Sequence, residues 1–118
     1  MNRYVTEGAV FDAATGGRVG FLLEGNLGRQ IFAECAEHAL SKFPKDSVTV
    51  RRKNGSESIA FDGVGFVRFF RSREHLRSVS LDVVVVERGG PYDGGDPLFH
   101  DLNATVGATS ERFELIRA

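Results

Sequence analysis

Residues 20–32, GFLLEGNLGRQIF, lead from an apolar stretch through two glycines and an arginine into a helix-like apolar pattern. That is the outline of a phosphate-binding loop. In such a loop the glycines let backbone N–H groups converge on phosphate, a lysine neutralises its charge and a hydroxyl holds magnesium. Here Gly25-Asn26-Leu27-Gly28-Arg29-Gln30 is two residues short between the glycines, Arg29 stands in the lysine's place and Gln30 in the hydroxyl's. Lys42, Lys45 and Lys53 are not near a matching glycine loop. The stretch therefore reads as a strand-to-helix turn. Its helix N-terminus, with Asn26, Gly28 and Arg29, retains the weak anion attraction common to helix starts.

A second chemistry-bearing segment is SLDVVVVERGG, residues 80–90. An apolar strand ending in acid is where an ATPase holds magnesium and activates water. The strand ends here in Glu87-Arg88, and arginine cannot serve as a base at neutral pH. The glycine-rich loop that follows carries Asp93, Asp96, His100 and Asp101. With Glu87, three of these (Asp93, Asp96 and His100) form a candidate set for a divalent metal, and hence for a hydrolase or nuclease, although the spacing follows no established ligand motif. Asp96 also reads as a helix cap before Pro97.

The third candidate is basic. RFFRSREHLR brings Arg68, Arg71, Arg73 and Arg77 among aromatics, and Arg51, Arg52 and Lys53 lie upstream. Basic residues interleaved with aromatics can hold nucleic acid through phosphate contacts and stacking. Glu57, Asp62 and Glu74 are interspersed, as on an ordinary solvated edge. Cys35 falls on an apolar helical face, His38 has no partner in a nucleophile motif, and there is no G-x-S-x-G elbow. Nothing in the sequence supports nucleophilic catalysis, and no cofactor is implied.

The elements that must position these residues follow from periodicity. Residues 8–15 predict a short helix ended by Gly16 and Gly17. Residues 18–23 (RVGFLL) predict a buried strand. Asn26 is expected to cap a helix from Leu27 to Phe43, whose apolar positions Ile31, Phe32, Cys35, Ala36, Ala39 and Leu40 share one face. Pro44 stops it. Residues 47–52 alternate as a half-buried strand, and KNGS carries the Asn-Gly signature of a two-residue hairpin turn into a strand over 57–61. Residues 64–71 (VGFVRFFR) predict a further strand, with Phe66 and Phe70 on one face and Phe69 on the other. The valines of 81–87 do not alternate, which predicts a strand covered on both faces. A helix from Asp96 to about Val106 and a strand over 112–117 close the chain. Strands alternating with helices give an α/β fold: a single domain over residues 1–118, a mainly parallel sheet with a β-hairpin, and two to three flanking helices.

The composition is that of a globular domain of 118 residues, with 15 basic against 16 acidic residues. That balance recruits neither nucleic acid nor an anionic membrane through overall charge. The apolar runs are too short for a membrane span. The start MNRYVTEGAV is unlike a signal peptide, and a single cysteine allows no internal disulfide. A cytoplasmic protein is expected.

The order of segments resembles the RecA-like P-loop ATPase domain of bacteriophage large terminases and related helicases. Residues 54–88, NGSESIAF through VGFVRFFRSREHLRSVSLDVVVVER, are similar to a β-hairpin, a strand, an LRG turn (here Leu76-Arg77-Ser78) and a Walker B strand. RVGFLLEGNLGRQIFAECAEHAL looks like the strand, loop and helix that follow the P-loop helix in that family, TEGAVFDAATGG like a remnant of that helix, and FELIRA like the coupling strand. The Walker A glycines and lysine have no counterpart, and the Walker B ending is Glu87-Arg88 in place of Asp-Glu. The resemblance thus implies a degenerate core without the phosphate cradle or the water-activating acid. The expectation is a small non-catalytic α/β protein, phage-encoded and acting in the host cytoplasm, that binds a protein partner or self-associates. The alternatives are a nucleic-acid-associated accessory protein using the basic residues, and a divalent-metal-dependent hydrolase or nuclease. No membrane partner is expected.

Overall fold

A computed structural model describes residues 1–53, 55–72, 76, 79–91 and 114–118. Helix α1 spans Arg3–Ala14. It starts earlier than the alanine-rich stretch suggests because Asn2 caps it, its side-chain oxygen accepting from the Tyr4 N–H at 2.8 Å. Thr6, Ala9, Val10 and Ala13 form its buried face. The helix ends as expected at the glycine pair: Gly16 has φ of 110°, and the Gly17 N–H returns to the Asp12 carbonyl at 2.7 Å.

Helix α2 spans Gly25–Lys42 and buries Gly28, Ile31, Phe32, Cys35, Ala36 and Ala39, the single apolar face its periodicity predicts. Its start corrects the expectation for Asn26. The N-cap is Glu24, in an extended conformation with no side-chain cap bond, and the Gly28 N–H already reaches the Glu24 carbonyl at 2.7 Å. Backbone hydrogen bonding from Glu24 onward draws Asn26 into the first turn. Pro44 follows the helix and opens a single 3-10 turn, Lys45–Ser47.

The strands are β1 (Arg18–Leu22), β2 (Val48–Arg51), β3 (Ser58–Phe61), β4 (Gly65–Phe70), β5 (Val83–Val86) and β6 (Glu114–Arg117). They form one six-stranded sheet in the order β2-β3-β4-β1-β5-β6. Strands β4, β1, β5 and β6 are parallel, while β3 runs antiparallel to β2 and β4. The hairpin register, Arg51 opposite Ser58, continues to Lys53 opposite Ser56, where the Ser56 N–H meets the Lys53 carbonyl at 2.9 Å. That is the register of a two-residue turn; Gly55 lies in it with φ of 86°, while Asn54 lies outside the described residues. Glu57, expected in the strand, precedes it.

Both helices cover one face of the sheet, over Val19, Phe21, Ile59, Phe61, Val67, Phe69, Val83 and Val85. The alternate residues Leu22, Phe70, Val84 and Val86 form a second cluster on the other face, beneath Leu76 and Leu81. Strand β5 is therefore buried on both sides, and Phe66 and Phe70 lie opposite Phe69 as the alternation predicts. The second cluster covers β4, β1 and β5 but not β2 and β3. The third flanking helix, expected to run from Asp96 to about Val106, lies outside the described residues.

Candidate functional site

The parallel strands end on one edge, where open α/β sheets place their ligands. Leu22 of β1 is paired with Val86 of β5, so the Glu24–Asn26 turn and the Glu87-Arg88 pair share that edge. Glu24, Asn26 and Arg29 are exposed and Gly28 is buried. Gly28 packs near Leu23, and a Cβ added there would lie 3.8 Å from that of Leu23. Glu24 brings a negative charge to the positive end of the α2 dipole, the place an anion would otherwise take. Arg29 begins the second turn of α2. Arg88 is held along β6: its N–H donates to the Ala118 carbonyl at 2.6 Å, and its guanidinium to the Arg117 carbonyl at 3.2 Å. Of the metal set, Glu87 is at this edge, while Asp93, Asp96 and His100 lie outside the described residues. Among the described residues, no group of three His, Cys, Asp or Glu side chains could hold a metal ion.

The basic residues divide. Register places Arg51, Ser58 and Arg68 in one row across β2, β3 and β4. Thr49, Ala60 and Phe66 form the next row on the same face. Among the described residues, the second cluster leaves this face uncovered over β2 and β3, while Phe66 of β4 packs against its border. The face holds a groove of about 460 Å³ whose lining includes Arg51, Ser58, Phe66 and Arg68. Arg68 lies over the Phe66 ring, 4.7 Å from its centroid, a cation–π distance. Arg52 is on the other side of the sheet, 5.8 Å from the Phe32 ring centroid. Lys53 is exposed in the hairpin turn. Arg71 is engaged by Glu57 at 3.1 Å, and the other Glu57 oxygen accepts the Gly55 N–H at 2.6 Å. Arg73 and Arg77 lie outside the described residues. The basic run is thus not one face: Arg51 and Arg68 share a surface that Arg52 does not.

Sequence reasoning missed two features. The first is the fork between Arg18 and Asp82. The Arg18 N–H and Nε donate to Asp82 Oδ2 at 3.0 and 3.3 Å, Nη2 to Oδ1 at 2.9 Å, and Nη1 to Ser80 Oγ at 2.7 Å. The hydrogen bonds with Asp82 push the Arg18 pKa further up. The fork fastens the start of β1 to the start of β5 and removes Arg18 as a free cation. The second is an apolar groove of about 420 Å³ on the helix side, whose lining includes Tyr4, Gly8, Phe11, Val83, Val85 and Ile116. Tyr4 and Phe11 are 70% and 63% exposed. The interval Tyr4, Gly8, Phe11 is a helical stripe, and it could have been read from the sequence. Cys35 is fully buried, and burial pushes its thiol up to about 12, which removes it from nucleophilic chemistry at neutral pH.

The fold is similar to that of large terminases. Against the large terminase of a thermophilic bacteriophage the TM-score is 0.62 at 12% identity, over 96% of this chain and 28% of that one. Against the same terminase in complex with ADP it is 0.61 at 13% identity, over 96% and 29%. Against the HK97 bacteriophage large terminase it is 0.64 at 11% identity, over 98% and 26%. The chain thus spans less than a third of the length of these proteins, and the likeness is one of fold. No protein-family model matches the chain, and no curated protein matches it. Among the described residues, no helix is long and apolar enough to cross a membrane.

Proposed function

We propose that residues 1–118 form a single non-catalytic α/β module, a degenerate relative of the phage terminase ATPase core, that works by binding a protein partner or a second copy of itself. The observation that carries this reading is the outward stripe of α1. Tyr4 and Phe11 lie largely in water on either side of Gly8, next to the apolar groove over β5 and β6. Exposed aromatics beside a groove are the usual anchors of protein interfaces. Gly8 adds a physical argument. It sits inside a helix, where glycine costs about 1 kcal/mol relative to alanine, and a Cβ there would meet nothing within 4 Å. Among the described residues, nothing in the fold gives a reason for glycine at this position; close approach of a partner does.

Gly8→Ala is expected to stabilise the chain by about 0.5–1 kcal/mol while weakening association, read by urea unfolding and by sedimentation or pull-down. A variant that gains stability and associates as well as the parent would remove the reason for placing the interface here. Tyr4→Ser with Phe11→Ser should abolish association at unchanged melting temperature. A chain that stays monomeric at every concentration would leave the heterologous partner as the mode of action.

The non-catalytic part of the reading is supported by the missing Walker A lysine and by Arg88 standing after Glu87, with its polar groups turned to β6. Titration with ATP and magnesium is expected to give no binding heat and no phosphate release. Micromolar binding with turnover would overturn it. The phage character of the similar structures supports a phage origin and a place in the host cytoplasm.

A further inference from the structure

We infer that the open face of β2, β3 and β4 is a platform for single-stranded nucleic acid, separate from the α1 surface and on the opposite side of the sheet. Its floor is the central strand β3, where the outward positions are Ser58 and Ala60. Its walls are Arg51 and Thr49 on β2 and Arg68 and Phe66 on β4. Small residues between larger ones make a trough along β3. With strands 4.7–4.9 Å apart, its walls stand roughly 10 Å from each other, a width for one extended chain and not for a duplex.

The charge of the trough selects the occupant. Arg51 and Arg68 are exposed, and neither has a carboxylate partner among the ion pairs of the described residues. The other arginine in the lining, Arg18, is neutralised by Asp82. Asp62 lies at the Arg18 end, so the positive field is concentrated at the Arg51–Ser58–Arg68 row. A second groove of about 390 Å³ extends from this same row toward Gly55 and Ser56. The one acid among the described residues of its lining, Glu57, is buried and paired with Arg71, so an anionic chain has a continuous path across the row. The exposed Arg68 guanidinium, backed by the half-buried Phe66 ring, offers a flat surface for a base, and the Thr49 and Ser58 hydroxyls can bond phosphate or sugar. Arginine beside an aromatic ring on an open sheet is suited to stacked bases, where an acidic peptide would use the charge alone.

The test is fluorescence polarisation with labelled oligo-dT and oligo-U at low and rising salt. Binding is expected at low salt, with log K falling against log salt at a slope of about −1.4, as two phosphate contacts to a single strand require. Arg51→Glu with Arg68→Glu should lower affinity at least tenfold. Arg52→Glu, one residue from Arg51 but on the opposite face, should retain most of it. Circular dichroism establishes that each variant is folded. No binding at low salt, or equal loss in the Arg52→Glu variant, would overturn the assignment. So would displacement of the oligonucleotide by polyglutamate of equal charge, which would make the trough a protein site. Tyr4→Ser with Phe11→Ser should leave this binding unchanged, so the two surfaces fail or stand separately.

Discussion

Gly65→Ala is expected to lower stability by about 3 kcal/mol or more, and in a domain of this size to leave a large part of the chain unfolded. A Cβ at Gly65 would run into the carbonyl oxygens of Ala13 and Gly17 and lie 2.9 Å from the carbonyl carbon of Gly16. All three are backbone atoms at the junction where α1 ends and the chain turns into β1, so no side chain can rotate away. The Phe66 N–H donates to the same Gly17 carbonyl at 3.1 Å, which fixes β4 against that junction. Gly20→Ala is the control. Its Cβ would meet Leu81 Cδ1 at 2.7 Å and Phe70 Cε2 at 3.2 Å. The Leu81 methyl is the end of a side chain that can shift, so the cost should be nearer 1 kcal/mol. Urea midpoints of the two variants decide the matter. A Gly65→Ala protein as stable as Gly20→Ala would mean that β4 does not begin on the end of α1.

Phe69→Ala should cost about 4 kcal/mol, which for a chain of this length corresponds to a fall of about 15 °C in melting temperature. Phe69 stacks on Phe21 with centroids 5.0 Å apart, and meets the edge of Phe32 at 5.4 Å. It therefore joins β4, β1 and α2 at one point. Its removal leaves a cavity against two rings that are themselves buried, with little room to collapse. Phe69→Leu should lose less than about 1.5 kcal/mol, because most of the volume is kept. The check is denaturant unfolding in which the midpoint falls and the slope does not. A loss below about 1 kcal/mol for Phe69→Ala, well under the usual cost of such a truncation, would mean that α2 is not held to the sheet through this cluster. Such a loosening would also displace the Glu24–Asn26 turn at the carboxyl edge.

The elements that local periodicity controls were legible in the sequence. The valines of β5 announce a strand buried on both faces, the spacing from Ile31 to Ala39 announces α2, and Asn54-Gly55 specifies the hairpin register. The alternation of Phe66, Phe69 and Phe70 was readable for the same reason. The start of α1 was not, because Tyr4 and Phe11 point outward and spoil the one-sided pattern that identifies a helix. Asn26 looked like a cap by residue type, yet the backbone bond to Glu24 decided the start of α2.

The candidate surfaces were only half legible. A linear basic run gives no indication of which cations are already engaged. Alternation separates Arg51 from Arg52, but only tertiary structure ties Arg71 to Glu57 and Arg18 to Asp82. Glu57 carries no local signal of burial, since its partner is 14 residues away. The open trough depends on which strands the second cluster covers, and so on the order β2-β3-β4-β1-β5-β6, which no local pattern contains.

The position of β1 in the middle of that order also governs how the chain acquires its structure. Both neighbours of β1 come from the distant part of the sequence, residues 65–70 on one side and 83–86 on the other. The fork that fixes its start spans 64 positions. A chain emerging from the ribosome must therefore hold the β1 segment, with Phe21 and Leu22, unpaired until β4 has been made, and paired on one side only until the valine strand follows. Such long-range pairing places refolding below the rates of helical bundles, in the intermediate range of mixed α/β domains. It also makes the unpaired β1 segment the part of the nascent protein most exposed to aggregation before the sheet closes around it.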